Sequence, residues 1–224
     1  MGKYLLLGYI FNKNSYKNFD VFSHYEHKSF VSGIILFETG TSLTLGLKYN
    51  HKVYSNNISG SSVANTNSQL GISSSISQSI NNSADINGYV AFRKNLKDGT
   101  RYFNTGDWII YEEEIFNDIY SNEGYDLGIS FTKYLSAVIL TKLEFTYSRK
   151  DFPYIPVPDA EGYDTDIMRK DNQFAGGFAI EFYLKNLING ISLELNWNYI
   201  HNKSNDQFYN YNNNLLSAGL NWGL

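Results

Sequence analysis

Four histidines are the first residues in this chain that could do chemistry: His24, His27, His51 and His201. Asp20, Asp151, Asp171 and Asp206 lie near them in sequence order, and a histidine held beside a carboxylate can take a proton from water. A second group, Asp159, Glu161, Asp164, Asp166 and Asp171, offers the oxygen ligands Ca²⁺ takes, but lacks the spacing of a calcium-binding loop. Arg149, Lys150, Arg169 and Lys170 flank it. It therefore reads as a solvated charged loop, and no metal or cofactor is expected. Glu112, Glu113 and Glu114 read in the same way, as an exposed charge run. A third set is dispersed along the chain on the polar side of alternating segments: Lys48, Lys52, Arg93, Asp126, Lys142, Glu144, Glu181 and Glu194. What these could do depends on the elements that hold them.

Those elements are strands. Ile191, Leu193, Leu195, Trp197 and Tyr199 alternate with Ser192, Glu194, Asn196 and Asn198, and successive side chains of a strand point to opposite faces. Leu43, Leu45, Leu47 and Tyr49 repeat the pattern, as do Tyr125, Leu127, Ile129 and Phe131. Leu143, Phe145 and Tyr147 form a further repeat, and Phe174, Phe178, Ile180 and Phe182 another. Weaker versions run near 3–13, 27–37, 68–80 and 85–94. Soluble β-sandwiches alternate too, but in strands of about 5–6 residues. The repeats here persist for about 9–13 residues, the length a tilted strand needs to cross a bilayer.

The connections sort by size. Short ones near 38–41, 79–84, 133–137 and 185–190 alternate with long polar ones near 14–26, 55–67, 95–120, 150–171 and 203–211. The Asn- and Ser-rich stretch 55–68 reads as a flexible loop. Aromatics on the apolar side fall into two bands. Phe37, Phe131, Phe182 and Trp222 stand near the short turns; Phe11, Tyr49, Phe92, Tyr125, Tyr147, Phe174 and Tyr199 stand near the long loops. Leu45, Leu127, Ile129, Leu143, Ile180 and Leu195 lie between. Two aromatic girdles around an aliphatic belt are how a barrel meets the two interfaces of a membrane.

The fold expected over 1–224 is therefore all-β: a transmembrane up-and-down antiparallel β-barrel of about ten strands. Both termini fall on the short-turn, periplasmic side. The eight charged residues above face the lumen and form ion-pair networks that fill it. Composition agrees: 17% of residues are aromatic, 3 are proline and none is cysteine, which excludes a disulfide framework. The net charge of −4 lacks the basic footprint of a nucleic-acid binder. Mean hydropathy is −0.34, acceptable where only alternate residues meet lipid. Leu5 to Phe11 is too short for a spanning helix and lacks a small-residue cleavage site. A barrel domain separated from a longer exported protein is the expectation.

The last strand carries the most specific pattern. Leu216, Ala218, Leu220, Trp222 and Leu224 share one parity. Ser217, Gly219, Trp222 and Leu224 resemble the C-terminal signal read by the outer-membrane barrel assembly machinery, with Leu224 in place of the usual Phe. A wider resemblance covers about residues 100–224. It is carried by Asp118-Ile-Tyr120, Tyr147-Ser-Arg149, Asp151-Phe152, Arg169-Lys-Asp171-Asn172, Asn202-Lys-Ser204-Asn205-Asp206 and Tyr209-Asn-Tyr211. These segments look like the C-terminal barrels of outer-membrane proteins that follow periplasmic tetratricopeptide repeats, of which the surface lipoprotein assembly modifiers are the best-known group.

That resemblance implies a place in the bacterial outer membrane, among its lipid and lipopolysaccharide, and help in exporting or assembling surface lipoprotein or polysaccharide. This chain carries no helical repeat. A structural or adhesive barrel with a plugged lumen is the alternative. Ten-stranded omptin proteases also set Asp and His at the external end, but no run here is similar to their motifs. The chain is read as a non-enzyme, with a surface hydrolase as the second alternative.

Overall fold

Alternation over long segments should give long strands, and in the computed structural model it does. Residues 1–55, 65–97, 101–104, 109–184 and 190–222 are described. Ten strands form one antiparallel sheet: β1 (Gly2–Asn14), β2 (His24–Leu36), β3 (Thr41–Tyr54), β4 (Thr66–Asn81), β5 (Ala84–Lys97), β8 (Glu123–Ser136), β9 (Ile139–Pro158), β10 (Asp164–Tyr183), β11 (Ile191–Ser204) and β12 (Tyr211–Trp222). Each pairs with its neighbour in chain order. Between β5 and β8 the chain makes a separate two-stranded ribbon, β6 (Tyr102–Asn104) with β7 (Ile109–Tyr111), and a short helix, α1 (Glu112–Phe116). Among the described residues β1 and β12 pair on one side only, so the sheet has two free edges.

Because the side-chain period is two, register decides which residues share a face. Leu45 lies opposite Gly33 and Ser74, Leu127 opposite Val90 and Tyr147, and Phe178 opposite Leu143 and Trp197. The apolar side chains thus fall on one face, and much of that face is uncovered: Leu45 is 52% exposed, Phe145 57% and Trp222 69%. At its loop end runs an aromatic row. Phe92 and Tyr125 have ring centroids 6.0 Å apart, Tyr125 and Tyr147 5.9 Å, and Tyr147 and Phe174 4.8 Å. At the other end the connections 37–40, 82–83 and 137–138 are short, and residues 185–189 of the turn expected between β10 and β11 lie outside the described residues. In the turn between β2 and β3, Gly40 takes φ 76°, a left-handed value that suits a residue without Cβ, and donates to the Phe37 carbonyl at 3.2 Å.

Two expectations about the connections need correction. The stretch 150–171 is not a loop: β9 and β10 are each 20 residues long and carry their pairing outward as a hairpin. Its register slips between Asp164 and Lys170. All 3 prolines of the chain, Pro153, Pro156 and Pro158, lie in this half of β9. Proline cannot donate to the ladder, so the pairing is irregular where they cluster; it is the polar and acidic composition of the segment that reads as a loop. The connection 95–120 is likewise structured, holding β6, β7 and α1. Of the Asn- and Ser-rich stretch, residues 56–64 lie outside the described residues, and Thr66 onward belongs to β4.

The polar face is strongly curved. Six strand spacings separate β3 from β11, about 29 Å if the sheet were flat. Yet the five-residue α1 bonds to both sides: Glu112 to Lys52 on β3, and Glu114 to Tyr209 just after β11. A sheet can serve one short helix from both directions only by wrapping round it.

Candidate functional site

The largest collection of buried charge lies where α1 and the turn Ile119–Ser121 rest on the polar face. Lys52 Nζ is 2.9 Å from a Glu112 oxygen and 2.7 Å from an Asp118 oxygen. The Tyr54 hydroxyl donates to the other Glu112 oxygen, and the Tyr54 ring lies 4.3 Å from the Arg101 guanidinium. Lys52 also sits 5.0 Å from the centre of the Tyr120 ring. The Tyr120 hydroxyl continues the network, donating to Glu26 at 2.8 Å; Glu26 also accepts from Asn12 and pairs with Lys28. Two cations, Lys52 and Arg101, thus stand with Glu112 and Asp118 in a water-poor pocket, an arrangement in which charges can be buried only as a set.

Local sequence explains how α1 delivers its acids. Glu114 folds back to accept from the Tyr111 backbone N–H at 2.9 Å, satisfying one of the donors a helix start leaves open. Asn117 takes a left-handed φ of 48° and ends the helix. Glu112 and Glu113 then point inward and Glu114 outward. This corrects the expectation of an exposed charge run: Glu112 is 1% exposed and Glu113 9%. Burial pushes both carboxyls above the ordinary glutamate range, and the Lys52 charge partly offsets this for Glu112. Ser121 donates to Glu113 at 2.8 Å. Tyr209, which donates to Glu114, has its hydroxyl pushed up to about 12 by burial and by that carboxylate. Aromatic rings fasten the other side of the cap. Phe116 packs on Tyr16 at 4.3 Å and on Phe22 at 5.7 Å, and Phe22 is fully buried.

The eight charged residues read from the alternation share the polar face by register, but they do not form one network. Lys52 belongs to the buried cluster. Arg93 pairs with Asp126 at 2.5 Å and donates to Asn122 at 2.8 Å. Lys142 pairs with Glu144. Glu181 and Glu194 lie directly opposite each other on β10 and β11. Among the described residues neither finds a cation, and they accept from neutral donors, Glu181 from Ser192 and Tyr183, Glu194 from Asn196 and Asn221. Lys48 has no ion-pair partner among the described residues.

The histidines do not converge. His27 and His51 stand on the apolar face, bonded to Tyr9 and Ser68, while His201 bonds Asn212 and His24 bonds the Phe22 carbonyl and Asn14. No histidine bonds a carboxylate among the described residues. The acidic group divides as well. Asp159, Glu161, Asp164 and Asp166 are exposed on the β9–β10 hairpin, whereas Asp171 is buried. Asp171 accepts from Nη2 and Nε of Arg169, at 2.6 and 3.2 Å, and the Arg169 guanidinium lies 4.1 Å from the centre of the Phe152 ring and 3.2 Å from that of Tyr209. Arg169 is therefore an internal clamp and not part of a solvated flank. No cluster of three or more metal-ligating side chains occurs among the described residues.

In the closing strand, Ser217 and Gly219 lie on the polar face, and Trp222 on the apolar face opposite Ile191. Leu224 lies outside the described residues. No model of a known protein family matches the chain, and no curated protein matches it.

Proposed function

We propose that the chain is a bacterial outer-membrane β-barrel whose sheet closes by pairing β1 with β12, and whose loop end is blocked by the cap built on α1. The uncovered apolar face, bounded at its loop end by the aromatic row, carries this reading. Water would leave so broad an aliphatic surface costly, whereas a bilayer covers it and places the rings at its interface. Closure removes two edges whose open N–H and C=O groups lipid cannot satisfy. The curvature that brings β3 and β11 to one short helix supports it.

Within that reading, a structural or adhesive barrel with an obstructed lumen is favoured over a conduit. Lys52, Glu112 and Asp118 are bonded across the opening, and removing any one strands buried charge. Export or assembly of surface lipoprotein or glycan, which the resemblance implies, then requires the cap to move. The histidines give no support to hydrolysis, since among the described residues none has a carboxylate to orient it.

Crosslinking tests closure directly, because the chain contains no cysteine. Leu7→Cys on β1 is combined in turn with Leu216→Cys, Ala218→Cys and Leu220→Cys on β12. One combination should form a disulfide in detergent-folded protein, which should also show a heat-modifiable band. No crosslink from any combination, or a monomer that stays soluble without detergent, would sink the proposal. Planar-bilayer recording should show no steady conductance.

A further inference from the structure

A glycine inside a strand usually answers to the backbone, but Gly176 on β10 does not. It is absent from the glycines with positive φ, and it lies in unbroken register between Phe145 on β9 and Tyr199 on β11. A Cβ added there would meet nothing nearer than the Phe145 ring at 3.6 Å, an ordinary contact. A side chain would fit, so what the missing one leaves is space. Over this position the apolar face holds an open groove of about 550 Å³, lined by Leu143, Phe145, Phe174, Phe178 and Trp197 among others. Glycine in a strand interior often marks a place where a ligand approaches closely.

Toward the loop end, the same three strands turn cationic on the same face. Phe174 registers with Tyr147 and His201, and the next row outward is Arg149, Asn172 and Lys203. Lys170 follows beyond Asn172, opposite Asp151. Arg149 and Lys203 stand two strand spacings apart, about 10 Å at the backbone, and their row lies about 14 Å from Gly176. Tyr147 donates to Asn172 at 2.8 Å and ties the ring layer to this rim. Arg149 pairs with Asp151 at 3.2 Å. Lys170 and Lys203 are exposed and have no ion-pair partner among the described residues. Lys94 on β5, by contrast, is matched by Glu123 at 2.7 Å.

We propose that this side of the sheet seats one molecule of lipid A, with its phosphates on Arg149, Lys170 and Lys203 and an acyl chain in the groove over Gly176. The proposal rests on the outer-membrane reading, with the loop end outward, and adds to it one lipid at one place. The order of layers sets the ligand class. Cations, then rings, then an apolar groove along one strand direction match a molecule whose anions and acyl chains leave the same headgroup. The cations choose between headgroups. Three positive charges spread over about 10 Å, offset in part by Asp151, exceed what a phosphodiester meets with its single charge. An acylated sugar pair phosphorylated twice spreads its charge over that breadth, and lysine and arginine both serve phosphate. A neutral lipid would leave the lysines unpaired, and a free sugar phosphate would leave the groove empty.

The test is native mass spectrometry of the full, detergent-folded chain titrated with lipid A carrying two phosphates. Monophosphorylated lipid A and phosphatidylglycerol are the comparison probes. One doubly phosphorylated molecule should be retained per chain, with the monophosphorylated form about tenfold weaker and phosphatidylglycerol weaker still. Lys170→Gln and Lys203→Gln should each weaken retention about tenfold, Lys94→Gln should leave it unchanged, and added salt should lower it. Gly176→Leu fills the groove and should weaken all three probes. Each variant is first shown to keep its heat-modifiable band, so loss of lipid is separated from loss of fold. No retention by a parent that keeps this band and the β1–β12 crosslink would overturn the site and leave the barrel standing. A parent without band or crosslink would overturn the barrel and the site with it. Phosphatidylglycerol held as tightly as lipid A, or retention untouched by both lysine changes, would overturn the headgroup assignment. Retention untouched by Gly176→Leu would overturn the groove as the seat of the chain.

Discussion

At the scale of single residues, the Lys52 cluster sets the terms. Removing one member of a buried charge set leaves the others unpaired, so Lys52→Met should cost about 3–5 kcal/mol. The triple change Lys52→Met, Glu112→Gln, Asp118→Asn removes all three charges together and should cost less than Lys52→Met alone. Denaturant unfolding in detergent compares the two, and equal or greater loss in the triple variant would refute the coupling. Glu113 predicts a pH dependence. Its folded pKa is raised by burial, so between the ordinary glutamate range and that higher value the folded state holds a proton the unfolded state has released. Stability therefore falls as pH rises through that window and levels off above it. Glu113→Gln should flatten this slope while keeping an acceptor for Ser121, as unfolding midpoints across pH would reveal. None of this was legible in the run Glu112-Glu113-Glu114, where adjacent acids read as surface. Their burial comes from a distant partner, Lys52 on β3, and no local spacing reports such a partner.

At the scale of elements, Gly124 is where substitution is least tolerable. Its φ is 141°, and a Cβ there would meet the Arg149 carbonyl oxygen at 2.0 Å. Gly124→Ala should cost about 1–3 kcal/mol from strain and disturb the β8–β9 pairing. Gly219→Ala, with nothing within 4 Å of the added carbon, should stay within about 0.5 kcal/mol. Equal effects of the two would contradict the register. The strands were readable because each carries its own signal: polar and apolar residues alternating long enough to fix period and face. The cap lacks such a signal. Residues 95–120 show no period, and the segment is held by its partners on β2, β3, β4 and β5. The outer β9–β10 hairpin was hidden by its acids and flanking cations, which are loop composition placed in paired strands. Hints existed on the receiving side, where Asn50, Lys52 and Tyr54 share the polar face with His24 and Glu26 near the loop end, too many polar groups to leave uncovered.

At the scale of the molecule, the two faces should answer differently to charge. In a bilayer, Leu45→Lys or Leu195→Lys on the apolar face should cost about 2–4 kcal/mol near the midplane. Ser73→Lys on the polar face should cost far less, and unfolding from lipid vesicles would measure the difference. Equal, small costs would place the apolar face in water. The β9–β10 hairpin bears on the whole molecule in another way. Its tip is closed by its own bonds: Asp159 accepts from the backbone of Glu161, Gly162 and Tyr163, and Gly162 takes φ 89° with open space around it. Asp159, Glu161 and Tyr163 are all exposed there. Foreign sequence spliced into this tip would leave the Arg169 clamp and the ten-stranded sheet untouched, which makes the hairpin a mast on which a tag or epitope can be flown from the far side of the fold.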